Sequence, residues 1–260
     1  MRESDRREQE DRVYIYRSLK WHGAQSSGPS PPVYSTSPYG IPGAVAWYKA
    51  DAEVFQDSAL TTPAVLDTDP VGGWKDQTGL NHAQIQATTT RRPTLRLNQK
   101  NGLPIVRFDG VDDYLKALFT LATVYHIFLV FREIAWVLNG VIIGGGVGDN
   151  FSLNMNPSTP NLNTWNGTST SVNNNQLTVG NWGIVQILMG PSNPHMKINV
   201  GTNTLQPTPG SSGGITIGGH NNLTGNSQIE VAELIIYSVA LSDADETTVR
   251  TGLNARWQIF

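Results

Sequence analysis

The chain has 260 residues, a net charge of −3 and no cysteine. The acidic balance excludes the basic face of a nucleic-acid binder, and the missing cysteines exclude disulfides and thiolate metal sites. Charged residues make up only 15% and glycine is abundant, which suits many short strands joined by turns better than long surface helices.

Residues 1–43 read as an arm. Residues 2–12, RESDRREQEDR, are almost wholly polar, and no apolar stretch follows the basic residues, so a Sec leader is not expected. No apolar run approaches the length of a membrane span, so no membrane partner is expected. Val13, Tyr14, Ile15 and Tyr16 form a short apolar patch, with Trp21 after it. Pro29, Pro31, Pro32, Pro38 and Pro42 then stand among Ser and Gly, which forbids a helix interior or central strand and fits an extended linker. Val13, Tyr14, Ile15, Tyr16 and Trp21 are the candidate docking residues, with 13–16 able to add as a strand to a partner's sheet.

From Ala44 onward strands alternate with turns. Residues 44–48 predict one strand. Residues 104–108 predict another, with Val106 and Phe108 on one face and Ile105 and Arg107 on the other. Residues 123–131, TVYHIFLVF, are apolar on both faces, as in a central strand covered on two sides. Further strands are predicted at 141–143, 151–155, 184–189, 196–200 and 215–217. A long one at 229–237 is expected to place Ala232, Leu234 and Ile236 on one face. Ser242 caps a helix with Asp243, Asp245 and Glu246 in its first turn and Arg250 and Arg256 towards its end, the order the helix dipole favours. The expected class is all-β, a two-sheet antiparallel β-sandwich at 44–260 with one short C-terminal helix.

The stretch FDGVDDYL, 108–115, holds three aspartates. Asp109-Gly110 is a turn dipeptide, so the stretch reads as strand, turn and next strand. Asp112 and Asp113 with Asp149, Asn150 or Asp76 are candidate calcium ligands, since hard cations take carboxylate and amide oxygens; no other cofactor is expected. The five histidines, His22, His82, His126, His195 and His220, show no HxH or HExxH spacing, and His126 reads as a hydrogen-bonded core residue. The glycines at 144–146 lack the Lys-Ser/Thr of a phosphate loop. Trp165 with Asn166, and His220 with Asn221 and Asn222, are candidate glycan contacts, because sugars take aromatic faces and amide groups.

Several segments, in order, resemble LamG-like jelly-roll domains of the concanavalin A-like lectin/glucanase fold. VAWYKADA (45–52) resembles the opening strand, and GGWKDQTGLNHAQIQ (72–86) the family's W-x-D-x-S-G loop, with Thr78 where Ser is common. NGLPIVRFDGVDDYL (101–115) is similar throughout. HIFLVFR, GGGVGDNFSLNMN, NWGIVQILM, HMKINVG, TIGGHNN, IEVAELIIYSVALSDADE and ARWQIF follow in family order. The resemblance covers the body and leaves out 1–43. It implies two antiparallel sheets, one often concave, and binding or structural roles more often than catalysis, as in tailed-phage virion proteins and bacterial surface proteins.

Glucanases of this fold carry their carboxylates in a pattern like E-x-D-x-x-E. Here Glu230 and Glu233 lack the middle Asp, and three residues apart on a regular strand they point to opposite faces. The resulting expectation is a non-enzymatic virion protein of a tailed phage, a head decoration or tail-associated protein. It would be assembled in the host cytoplasm, anchored to other virion proteins through 1–43 and present in multiple copies. A cell-surface glycan is a candidate partner. A bacterial carbohydrate-binding or adhesin module is the alternative, and a glycoside hydrolase stands behind it.

Overall fold

The computed structural model describes residues 37–147, 151–155, 161–165, 170–172, 177–204, 212–220 and 225–260. The docking residues Val13, Tyr14, Ile15, Tyr16 and Trp21 lie outside these. Strands are numbered in chain order: β1 (Ala44–Lys49), β2 (Val54–Phe55), β3 (Gly73–Trp74), β4 (Gln84–Ile85), β5 (Thr94–Lys100), β6 (Leu103–Asp109), β7 (Leu115–Ala117), β8 (Tyr125–Glu133) and β9 (Val141–Gly145). They continue with β10 (Ser152–Met155), β11 (Leu162–Trp165), β12 (Thr170–Val172), β13 (Trp182–Met189), β14 (His195–Ile198), β15 (Gly201–Thr204), β16 (Ile215–Ile217) and β17 (Gln228–Tyr237), and helix α1 is Asp243–Trp257.

Among the described residues the strands form two antiparallel sheets. An eight-stranded sheet runs β15-β14-β13-β8-β17-β6-β5, with β1 also paired to β17; a nine-stranded sheet runs β12-β11-β10-β9-β16-β7-β4-β3-β2. Both contribute to one apolar core, in which Phe108, Ile127, Leu129, Phe131 and Leu234 meet Trp74, Leu115, Ile143, Leu153 and Ile217. The expected two-sheet sandwich with a C-terminal helix is therefore the observed architecture. No helix among the described residues is long and apolar enough to cross a membrane.

β8 is apolar on both faces for a visible reason. Ile127, Leu129 and Phe131 enter the inter-sheet core, while Phe128 and Val130 lie in a second cluster with Val249, Leu253 and Trp257 of α1. The helix forms where its caps predict: Ser242 Oγ accepts the Asp245 N–H at 3.2 Å. FDGVDDYL behaves as a turn. It ends β6 in one sheet and starts β7 in the other, with Gly110 at φ 79° and Asp109 Oδ1 accepting the Val111 N–H at 2.8 Å.

β17 departs from the expected alternation. The pairing with β8 runs Val231↔Phe131 and then Glu233↔Val130, a β-bulge. Ala232 therefore joins Ile235 and Tyr237 on the helix side, while Val231 takes its place beside Leu234 and Ile236. The bulge also reverses the argument about the two glutamates. Glu230 lies opposite Arg132 and Glu233 opposite Val130, two residues apart on β8, so both carboxylates face the helix.

Glu233 is fully buried and heavily bonded. Its carboxylate accepts the Trp47 indole N–H at 2.8 Å, the Trp257 indole N–H at 2.7 Å and the Tyr39 hydroxyl at 3.1 Å, with Arg256 Nε 3.5 Å away. Burial pushes its pKa up, and the indole hydrogen bonds oppose that shift. Replacing it with alanine leaves the buried donors unpaired, so Glu233→Ala is expected to cost about 3–5 kcal/mol of unfolding free energy in urea titrations. A loss below about 1 kcal/mol, the range of ordinary surface changes, contradicts this role.

Candidate functional site

The outer face of the nine-stranded sheet carries one polar row. Residues paired across strands share a face. Lys116 lies opposite Thr216, Thr216 opposite Gly144, Gly144 opposite Ser152, and Ser152 opposite Trp165. With strands about 4.8 Å apart, the row is roughly 19 Å long. Asn154 and Asn163, paired to each other, lie on the same face one step along. Their neighbours Leu153, Met155, Leu162, Ile215 and Ile217 point the other way, into the core.

Gly144, in the middle of the row, lets another stretch of backbone approach the sheet closely. A Cβ there would stand 3.2 Å from the Gly219 carbonyl oxygen and 3.6 Å from His220 Cα. The 219–220 backbone thus lies over the sheet, and Trp165 and His220 come to the same face. Asn166, Asn221 and Asn222 lie outside the described residues. Ser152 is 1% exposed and Thr216 0%, yet Ser152 Oγ and Thr216 Oγ1 have no hydrogen-bond partner among the described residues, nor does Asn154 Oδ1. Buried polar atoms are almost always paired, so three unpaired ones on one face stand out. The sequence signal was the alternation Ser-Leu-Asn-Met at 152–155 and Ile-Thr-Ile at 215–217, polar residues interleaved with core residues.

The aspartate cluster is mostly spent on its own turn. Carboxylate oxygens of Asp109, Asp112 and Asp113 lie within 4.8 Å of one another. However, Asp109 Oδ1 caps the turn, Asp113 Oδ2 accepts the Asp109 N–H at 3.0 Å, and Asp112 stands 3.7 Å from Arg91. Burial pushes Asp113 up to about 7, with the charges of Asp109 and Asp112 adding to the rise. Asp149 and Asn150 lie outside the described residues. Asp76 accepts the backbone N–H groups of Trp47 and Thr78, both at 2.9 Å, and so serves its own loop.

Sequence spacing missed a second convergence, because its members come from three elements. His126 of β8, His195 of β14 and Glu246 of α1 are buried with their donor atoms within 4.8 Å of one another. Gln186 Nε2 fills the space between them, 2.9 Å from His126 Nε2 and 3.2 Å from His195 Nε2. Lys197 Nζ is 2.5 Å from the second Glu246 oxygen. With Gln186 between the rings the space is filled, and the contacts dock the helix. Burial lowers His126 to about 3, keeping it neutral. Burial would raise Glu246, but hydrogen bonds from His195 and Lys197 outweigh it and bring it down to about 2.

Glu230 and Glu233 share a face, yet neither can reach a substrate. Glu230 is fully buried and each of its oxygens is taken by one guanidinium, from Arg107 and Arg132. The described carboxyl with the least compensation is Glu133, at the end of β8. It is 0% exposed and neither oxygen has a partner, and burial pushes it up to about 8.

No family model matches the chain, and no curated protein matches it. Solved structures do. Trypanosoma rangeli sialidase in complex with sialic acid matches with a TM-score of 0.52 at 13% identity, over 94% of this chain and 38% of that one. An arabinofuranosidase complexed with arabinofuranosyl-α-1,2-xylobiose matches with a TM-score of 0.53 at 12% identity, over 72% of this chain and 51% of that one. A mutant α-L-arabinofuranosidase soaked with 4-nitrophenyl α-L-arabinofuranoside reaches a TM-score of 0.57 at 13% identity, over 72% and 51%. The chain thus spans about half or less of these proteins. At such identities the likeness is one of fold.

Two expectations are corrected by these neighbours. None of them is a virion protein, so the reading as a phage head decoration or tail-associated protein does not stand. They are a sialidase and arabinofuranosidases, so the fold does not carry the expectation of a non-enzymatic protein, and that expectation falls too. The bulge in β17 puts the two glutamates on one face, but the middle Asp is still missing and burial keeps both from a substrate.

Glu133 gives a pH test. Its carboxyl ionises near 4.5 when unfolded and near 8 when folded, so the folded state binds the extra proton and stability falls as pH rises between those values. Glu133→Gln is expected to raise stability at pH 8 by roughly 4 kcal/mol and to flatten that slope in urea titrations at several pH values. An unchanged slope contradicts the assignment.

Proposed function

We propose that the chain works on glycans as the β-sandwich of a glycoside hydrolase, holding its sugar on the outer face of the nine-stranded sheet. The carrying observation is the row Lys116–Thr216–Gly144–Ser152–Trp165, which holds two buried hydroxyls without partners and ends on an indole ring. A sugar brings what that row lacks. Its hydroxyls are both donors and acceptors, and its C–H face packs on an indole. The LamG-like kinship suggested by the ordered motifs belongs to this reading, as does the fold shared with hydrolases. Hydrolysis needs two carboxyl groups flanking the bond. Among the described residues the outer face has none, and Asp149 falls outside them, so binding at the row and bond cleavage are separate measurements.

The probe is arabinofuranosyl-α-1,2-xylobiose, titrated calorimetrically, with product release followed by chromatography. Trp165→Ala is expected to weaken binding about tenfold, near 1.4 kcal/mol, without lowering the melting temperature. Thr216→Val is expected to weaken binding while leaving the free protein as stable or more so, because it deletes an unpaired buried hydroxyl. Binding that survives both changes overturns the placement of the sugar.

A further inference from the structure

The helix side of the eight-stranded sheet carries a different row. Arg107 lies opposite Glu230, Glu230 opposite Arg132, and Arg132 opposite Trp182. Two guanidiniums share one buried carboxylate, so the row holds an excess positive charge, and the arginine side chains remain 30% and 27% exposed. The Arg132 guanidinium stands 5.2 Å from the centre of the Trp182 ring. Glu230 fixes Arg132, and Arg132 in turn steadies the indole by a cation–π contact.

Trp182 also lines a 330 Å³ pocket with Lys100, Asn181 and Asn199. That volume is at the lower end of the roughly 300–1,000 Å³ of small-molecule sites, the size of a single sugar ring rather than a chain. Two of its polar residues keep donors to spare. Lys100 Nζ donates to the Gln258 carbonyl at 2.7 Å and keeps its other two N–H groups. Asn199 Oδ1 accepts the Ile184 N–H at 2.9 Å, and its own N–H donates to the Ile184 carbonyl at 3.0 Å. This fixes Asn199 and leaves its amide NH₂. No acidic side chain is among the described residues lining the pocket.

We propose that this pocket binds an acidic monosaccharide, with the ring packed on Trp182 and the carboxylate on Lys100 and the Asn199 amide. An indole wall beside donors, with an excess cation behind the wall and no facing carboxylate, selects a ligand that is ring-shaped, acceptor-rich and negative. The site is separate from the Trp165 row, on the other sheet, and does not depend on it.

The test is calorimetric titration of the full chain at low salt with glucuronate, glucose and acetate as probes. Glucuronate is expected to bind, with glucose about tenfold weaker, and added salt should reduce the glucuronate affinity. Trp182→Ala should weaken glucuronate about tenfold and Lys100→Ala several-fold, whereas Trp165→Ala should leave it unchanged. Lys100 is a partly exposed residue at a strand end, so its variant reports even if Trp182→Ala does not fold. Acetate binding as tightly as glucuronate, glucose binding equally well, no glucuronate binding, or insensitivity to Lys100→Ala each overturns the proposal. Loss of glucuronate binding in Trp165→Ala also overturns it, and points to the other sheet.

Discussion

The carboxylate of Glu233 is the constraint on which the helix side of this fold depends. A carboxylate with no exposure is tolerated only when its lone pairs are taken. The donors come from Tyr39 in the turn before β1, Trp47 in β1 and Trp257 at the end of α1, so one buried group ties three segments distant in sequence. That tie lays α1 on the eight-stranded sheet. The His126–His195–Gln186–Glu246 network holds the helix's first turn, and the Glu233 clamp holds its last. With α1 in place, Phe128, Val130 and Ile235 are covered, which is why β8 and β17 carry apolar side chains on both faces.

This division leaves the two sheets with different outward surfaces. On the eight-stranded sheet the helix covers Phe128, Val130 and Ile235, and the arginines of the Arg107–Trp182 row stay partly exposed. The nine-stranded sheet has no helix over it among the described residues, and it is there that polar side chains alternate with core residues. Its unpaired hydroxyls cost stability in the free protein, since each was stripped of water without gaining a partner. The proposed sugar site starts from the Trp165 row.

Much of the fold was legible because it is written in local chemistry. The Ser242 cap, the Asp109-Gly110 turn and the both-face apolar run of β8 each follow from residues a few positions apart. The bulge at Val231–Glu233 was not legible, because nothing in IEVAELIIY distinguishes it from an even alternation. It depends on which β8 residue each β17 residue meets. That one irregularity moved Glu233 to the helix side and undid the inference that the two glutamates diverge. The short strands β2, β3 and β4 carry too few residues for any period to show. On the candidate site, Trp165 and His220 could be picked out by type, but their place on one face needed the register of β9, β10, β11 and β16. Ser152 and Thr216 were passed over because a hydroxyl in a strand is ordinary until its partners are counted.

The account turns on sugar lying across the outer face of the nine-stranded sheet. The most direct measurement is amide and indole chemical-shift mapping of the labelled chain titrated with arabinofuranosyl-α-1,2-xylobiose. The account predicts saturable shifts at the Trp165 indole and the amides of Gly144, Ser152 and Thr216, with α1 and Trp182 silent. Saturable shifts confined to the helix side or to the Asp109–Asp113 turn, with the Trp165 row unmoved, would contradict it.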